Sequence, residues 1–214
     1  MARVKICGFT VRKDIEDALA LGIKIIGINF FDGSPRYVPP AKAKMLLSGL
    51  PGDIVVIGVF VNPDEKILLH TASVLNLSGV QLHGDENEDF LDRMRKRLKG
   101  TLIFKGIRVR DPVTLSRAIE RYTPDFFLLD AFTEKAKGGT GERIDRNLLR
   151  DSAVPWNKTF LAGGITPGNV RGLLREFNPY GIDVASGVET SPGKKNTQKI
   201  RLLLENMKNE NPTS

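Results

Sequence analysis

Short apolar, β-branched runs recur along this chain, and a stretch of helical period follows nearly every one. The runs are residues 4–6, 25–30, 54–61, 80–82, 102–107, 126–129, 160–162 and 182–184. Most are continuously apolar rather than alternating, the pattern of strands covered on both faces. The intervals are long enough for crossover helices, which parallel neighbours require. Residues 11–21 put Ile15, Ala18 and Leu19 on one side, and residues 86–98 gather Phe90, Leu91, Met94 and Leu98. Asn62-Pro63 with Glu65, Asp85 with Glu88, Asp111-Pro112 and Thr166-Pro167 place helix starts just after strands.

Eight such units in 214 residues fit a small (β/α)8 TIM barrel. An open, doubly wound sheet is the alternative. The count of eight and the glycine turns after the last two strands favour the barrel. No internal stretch reads as a linker, so a single domain over residues 1–207 is expected, with a polar tail at 208–214. At 41% hydrophobic the chain is too apolar to be disordered. Its single cysteine excludes an internal disulfide. No apolar run nears the roughly 20 residues of a spanning helix, and the first ten residues carry no apolar leader, so a cytoplasmic protein without membrane contact is expected. A net charge of +7 suits acidic ligands such as phosphates.

In a barrel, chemistry sits at the C-terminal ends of the strands. The first strand ends Lys5-Ile6-Cys7-Gly8, where a thiol could act as base or nucleophile. The second is followed by Ser34-Pro35-Arg36, a rigid setting for a guanidinium that could hold a carboxylate. In the fourth, Gln81 and His83 share one face and would line the mouth. The other histidine, His70, lies on an expected helix, so no metal site is expected. The sixth ends in Asp130; a carboxyl after an apolar strand is partly desolvated, which favours its protonated form and suits it to donate a proton. Residues 135–141, with glycines at 138, 139 and 141, form a weak phosphate signal without the Lys-Ser/Thr of a P-loop. Gly163-Gly164 after the seventh strand and Ser186-Gly187 after the eighth fit the phosphate site that many barrels build there. The residues alone indicate a barrel enzyme for a phosphorylated small molecule, with the reaction unnamed.

Six blocks, VKICGFT (4–10), FFDGSPRYV (30–38), GVQLHGDE (79–86), LLDAF with GGTG (128–132, 138–141), LAGGITPGNV (161–170) and GIDVASGVETSPGKKN (181–196), occur in series. Together they resemble the phosphoribosylanthranilate isomerases of tryptophan biosynthesis. The resemblance implies an Amadori rearrangement without a cofactor, by a monomer or homodimer. N-(5′-phosphoribosyl)anthranilate would become 1-(2-carboxyphenylamino)-1-deoxyribulose 5-phosphate. It implies that Asp130 is the acid that opens the furanose ring and Cys7 the base that removes the C2′ proton. It implies that Arg36 faces the anthranilate carboxylate, that His83 lines the pocket, and that Gly163, Gly164, Ser186 and Gly187 hold the phosphate. The chain departs from the family at Ile144-Asp145-Arg146, where Phe-Asp-Trp is frequent, and at Ala185, where serine is common.

Two other readings compete. A related sugar-phosphate isomerase of histidine biosynthesis resembles this fold but uses an aspartate at the end of the first strand, where this chain has Cys7. A nucleic-acid-binding barrel rests on charge alone. Arg93, Arg95, Lys96, Arg97 and Lys99 fall on or beside an expected helix without interleaved aromatics, so no nucleic-acid partner is expected.

Overall fold

The computed structural model describes residues 2–131, 145–150 and 153–208. Its main strands are β1 (Arg3–Cys7), β2 (Ile25–Asn29), β3 (Val55–Phe60), β4 (Gly79–Leu82), β5 (Leu102–Val109), β6 (Phe126–Ala131), β7 (Thr159–Leu161) and β8 (Gly181–Val184). They alternate with α1 (Arg12–Ala20), α2 (Pro40–Leu47), α3 (Glu65–Val74), α4 (Glu88–Arg97), α5 (Pro112–Arg121), α6 (Arg146–Arg150), α7 (Val170–Phe177) and α8 (Thr197–Lys208). A short hairpin, β9 (Glu189–Ser191) and β10 (Lys194–Lys195), lies between β8 and α8.

The eight parallel strands close into a barrel in chain order. Closure pairs Lys5 of β1 with Asp183 of β8, which excludes the open sheet. Because strand side chains alternate, each strand feeds two cores. Ile25, Ile57, Phe104, Leu128 and Phe160 fill the barrel. Ile6, Ile26, Val80, Phe127 and Leu129 face the helical shell. This explains the continuously apolar runs, and each fully buried side chain of this size contributes about 1.5–3 kcal/mol. Phe104, Phe126, Phe160 and Tyr180 pack ring against ring, with centroids 4.7 to 5.6 Å apart. Above this aromatic floor the inward positions turn polar.

The expected helix starts need correction at three places. Asp111 does cap α5, accepting from the Thr114 N–H at 2.8 Å. The cap of α3, however, is Asp64, which accepts from the Lys66 and Ile67 N–H groups. Asn62 instead takes a left-handed conformation, and its side chain accepts from Asp85 N in the next βα loop. The cap of α4 is Asn87 rather than Asp85. Thr166-Pro167 opens a turn, and α7 starts only at Val170. In each case the loop at the C-terminal end of the barrel is longer than the first available cap suggests. The last helix ends at Lys208, one residue into the expected tail. No described helix is long and apolar enough to cross a membrane.

Candidate active site

The inward face of β1 carries Lys5 and, one step further along the barrel axis, Cys7. Lys5 is fully buried and donates to Gln81 Oε1 and to Asp183 Oδ1, both at 2.9 Å. Its ammonium lies beside the Cys7 sulfur. Burial opposes the charge on Lys5, but Asp183 and Cys7 outweigh it and hold its pKa above the ordinary lysine value. Cys7 is half-buried, and Gly27 of β2 leaves it room: a Cβ at position 27 would stand 2.7 Å from Sγ. Burial pushes the Cys7 thiol up, against the pull of Lys5 and Lys195 toward thiolate.

That balance makes a measurable prediction. With its pKa raised above the ordinary thiol value, the free protein holds little thiolate at neutral pH, and the fraction grows as pH rises. Alkylation of this only cysteine should therefore keep accelerating as pH rises past the ordinary thiol range. Lys5→Met, which removes a cation that favours thiolate, should move that limb higher. Mass spectrometry of the alkylated chain follows it; a rate already level at pH 7 would contradict the assignment.

A second ionic cluster backs the same turn. Arg36 is buried, with Nε 2.9 Å from Glu189 Oε1 and Nη2 2.6 Å from Glu189 Oε2. Lys195 Nζ donates to Glu189 Oε1 at 2.6 Å and to the Cys7 carbonyl at 2.5 Å. Burial favours protonated Glu189, but Arg36 and Lys195 outweigh it and hold its carboxyl below the ordinary value. Burial lowers Lys195, against the opposing pull of Glu189. Thus Glu189 fixes the plane of the Arg36 guanidinium, and the hairpin fixes the end of β1.

Across the mouth, His83 Nε2 lies 3.4 Å from Asp130 Oδ2. The other Asp130 oxygen accepts from the Ala131 N–H at 2.9 Å, which orients the carboxyl at the strand end. Gly106 of β5 makes space for the imidazole; a Cβ there would come within 2.6 Å of Nδ1. Gln81 Nε2 contacts His83 Nδ1 at 2.9 Å, as their shared strand face implies.

The glycine turns after β7 and β8 adjoin. Gly163 and Gly164 have φ of +85° and +62°, open to glycine and rarely to other residues. Ser186 and Gly187 belong to a single 3₁₀ turn, Ser186–Val188, and a Cβ on Gly187 would overlap the Ile165 carbonyl at 1.8 Å. The two turns adjoin beside the mouth, and all four residues are partly exposed.

The structure therefore groups Cys7, Asp130, Arg36 and His83 around one end of the barrel, with Gly163, Gly164, Ser186 and Gly187 beside them. Residues 135–141, with their glycines, and Ile144 lie outside the described residues. Arg146 turns away from the mouth and pairs with Glu176 of α7 at 3.0 Å. Lys5, Asp183, Glu189 and Lys195 join the site without an expected role. A lysine inside an apolar strand was the available signal for Lys5.

The family model for N-(5′-phosphoribosyl)anthranilate isomerase matches residues 4–206. An N-(5′-phosphoribosyl)anthranilate isomerase of Rubrobacter xylanophilus is 41% identical over 202 residues, which are 94% of this chain and 96% of that protein. The crystal structure of phosphoribosyl anthranilate isomerase from Thermotoga maritima aligns with a TM-score of 0.85 at 32% identity, over 97% of this chain and 99% of that one. A phosphoribosyl anthranilate isomerase in complex with reduced 1-(o-carboxyphenylamino)-1-deoxyribulose 5-phosphate aligns at 0.80 and 31% identity, with the same shares of both chains.

Proposed function

The chain belongs to the N-(5′-phosphoribosyl)anthranilate isomerase family, and from that premise we propose how its own residues divide the reaction. The enzyme is an isomerase of tryptophan biosynthesis. It converts N-(5′-phosphoribosyl)anthranilate into 1-(2-carboxyphenylamino)-1-deoxyribulose 5-phosphate by general acid–base catalysis.

Asp130 donates its proton to the furanose ring oxygen. The C1′–O bond breaks, and the anilino nitrogen supplies the electron pair of the resulting iminium. Cys7, as thiolate, then removes the proton from C2′, which the adjacent iminium acidifies. The enolamine that forms tautomerises to the ketone. The single observation that carries this division is that an acid and a thiol, on strands far apart in sequence, point inward at one barrel mouth next to the joined glycine turns. The ammonium of Lys5 supplies the charge that a thiolate at Cys7 needs. The turns at Gly163-Gly164 and Ser186-Gly187 take the phosphate, and His83 lines the pocket beside Asp130. On this reading the protein acts in the cytoplasm as a monomer or homodimer. It uses no cofactor, membrane or nucleic acid. The basic side chains Arg93 and Arg97 are exposed and pair with Glu65, as expected of a solvated helix face. Following the loss of fluorescence of freshly made phosphoribosylanthranilate tests the activity directly; no turnover by folded protein would overturn it.

Arg36 faces the anthranilate carboxylate while Glu189 holds its guanidinium from behind. Arg36→Met should weaken substrate binding by about 1.5–3 kcal/mol, the range for a hydrogen bond to a charged group. Because it also strips a partner from buried Glu189, the variant should unfold at lower denaturant concentration. Steady-state kinetics and a urea titration check both; a loss confined to kcat with KM intact would contradict the clamp.

A further inference from the structure

Three buried polar side chains stand in a row between the proposed base and the proposed acid. Lys5 Nζ donates to Gln81 Oε1 at 2.9 Å, and Gln81 Nε2 lies 2.9 Å from His83 Nδ1. His83 Nε2 then lies 3.4 Å from Asp130 Oδ2. Gln81 is only 2% exposed, so neither end of its amide has a substitute partner in bulk water.

Lysine sets the direction of this row. An ammonium only donates, so it takes the amide oxygen of Gln81. The amide NH2 is thereby turned to His83, and it too only donates. His83 Nδ1 must accept with its lone pair. A neutral imidazole carries one N–H, which leaves the proton on Nε2, the nitrogen aimed at Asp130. The opposite tautomer would set N–H against NH2 at one end and a lone pair against the carboxyl oxygen at the other. All the donors point from Lys5 toward Asp130, so each bond polarises the next.

His83 Nε2 is buried and has no hydrogen-bond partner among the described residues. An unpaired buried donor in a native protein calls for a functional explanation. Asp130 Oδ2 lies just outside hydrogen-bond range. When Asp130 gives up its proton, a charged acceptor appears in front of this waiting N–H, and a shift of a few tenths of an ångström completes a charge-assisted bond.

We propose that Gln81 is a positioning residue that locks His83 as its Nε2–H tautomer, so that this N–H receives the Asp130 carboxylate formed on ring opening. The proposal rests on Asp130 as the acid.

The test uses the whole protein with 15N-labelled histidine. The chain has two histidines, and His70 is exposed on α3, so His70→Gln leaves the His83 ring alone in the spectrum. The expected spectrum has a pyridine-like Nδ1 and a pyrrole-like Nε2. In Gln81→Met both tautomers should appear, kcat should fall on the order of 10²-fold, the low end for acid–base groups, and KM should stay within about threefold. In a His83→Ala background the same substitution should cost less than about threefold, because the residue it acts through is gone. A wild-type ring in the Nδ1–H form would overturn the proposal, and that spectrum requires no Gln81 variant to fold. So would an equal loss of kcat from Gln81→Met with and without His83. Normal turnover in Asp130→Asn would instead overturn the acid assignment, whatever the tautomer.

Discussion

Cys7→Ser leaves a folded protein that binds a phosphorylated product analogue and has almost no turnover. The expected loss is at least the roughly 10²–10⁴-fold typical of a general acid–base group. Serine preserves the size that the gap at Gly27 admits, so the wall of the barrel is undisturbed. It does not preserve ionisation. A hydroxyl stays protonated beside Lys5, whereas a thiol, with a reference pKa of about 8.5, can yield a base there. Analogue binding should survive, because the proposed phosphate turns follow β7 and β8, whereas Cys7 ends β1. The analogue should also protect wild-type Cys7 from alkylation. Full activity in a soluble Cys7→Ser protein would end the base assignment, even with the family membership intact.

Asp130→Asn should cost a similar factor, roughly 10²–10⁴ in kcat, for a different reason. The amide keeps the shape and can still accept from Ala131 N–H, so the strand end stays in place. What it lacks is a proton to give to the ring oxygen. Substrate should therefore bind and accumulate in its closed-ring form. A pre-opened, open-chain substrate analogue would bypass the variant's defect, but not that of Cys7→Ser. Near-normal turnover of the ordinary substrate would place the acid elsewhere.

Much of this site is legible in the sequence because a parallel barrel makes strand ends the functional positions. All eight strands lie where the apolar runs place them, since covered strands must be apolar on both faces. Cys7, His83 and Asp130 stand out as polar residues closing such runs. The shared face of Gln81 and His83 follows from a period of two. The ionic clusters are different. Lys5 pairs with Asp183, and Arg36 with Glu189, from opposite ends of the chain. Apart from Lys5, which sits inside an apolar strand, nothing local distinguishes these from solvated charges; only barrel closure brings them together. The helix starts slipped for a related reason. Asn62 and Thr166 have the chemistry of caps, but at the mouth the Asn62 side chain accepts from a neighbouring loop, and the Thr166 backbone N–H donates to Asn169 Oδ1 within its own turn.

The ties between Cys7 and the last quarter of the chain bear on how the enzyme is made. β1 leaves the ribosome before the other seven barrel strands. Asp183, which completes the Lys5 contacts, and Lys195, which grips the Cys7 carbonyl, are made only after the first seven barrel strands. A nascent chain that stops short of β8 has a thiol without its finished ionic setting and a barrel with an open seam. Closing that seam joins residues at maximal sequence separation, the slow kind of contact in folding. The ionic setting of Cys7 is therefore completed only once β8 and the hairpin have joined the barrel. Fragments lacking β8 and the hairpin should therefore show no isomerase activity.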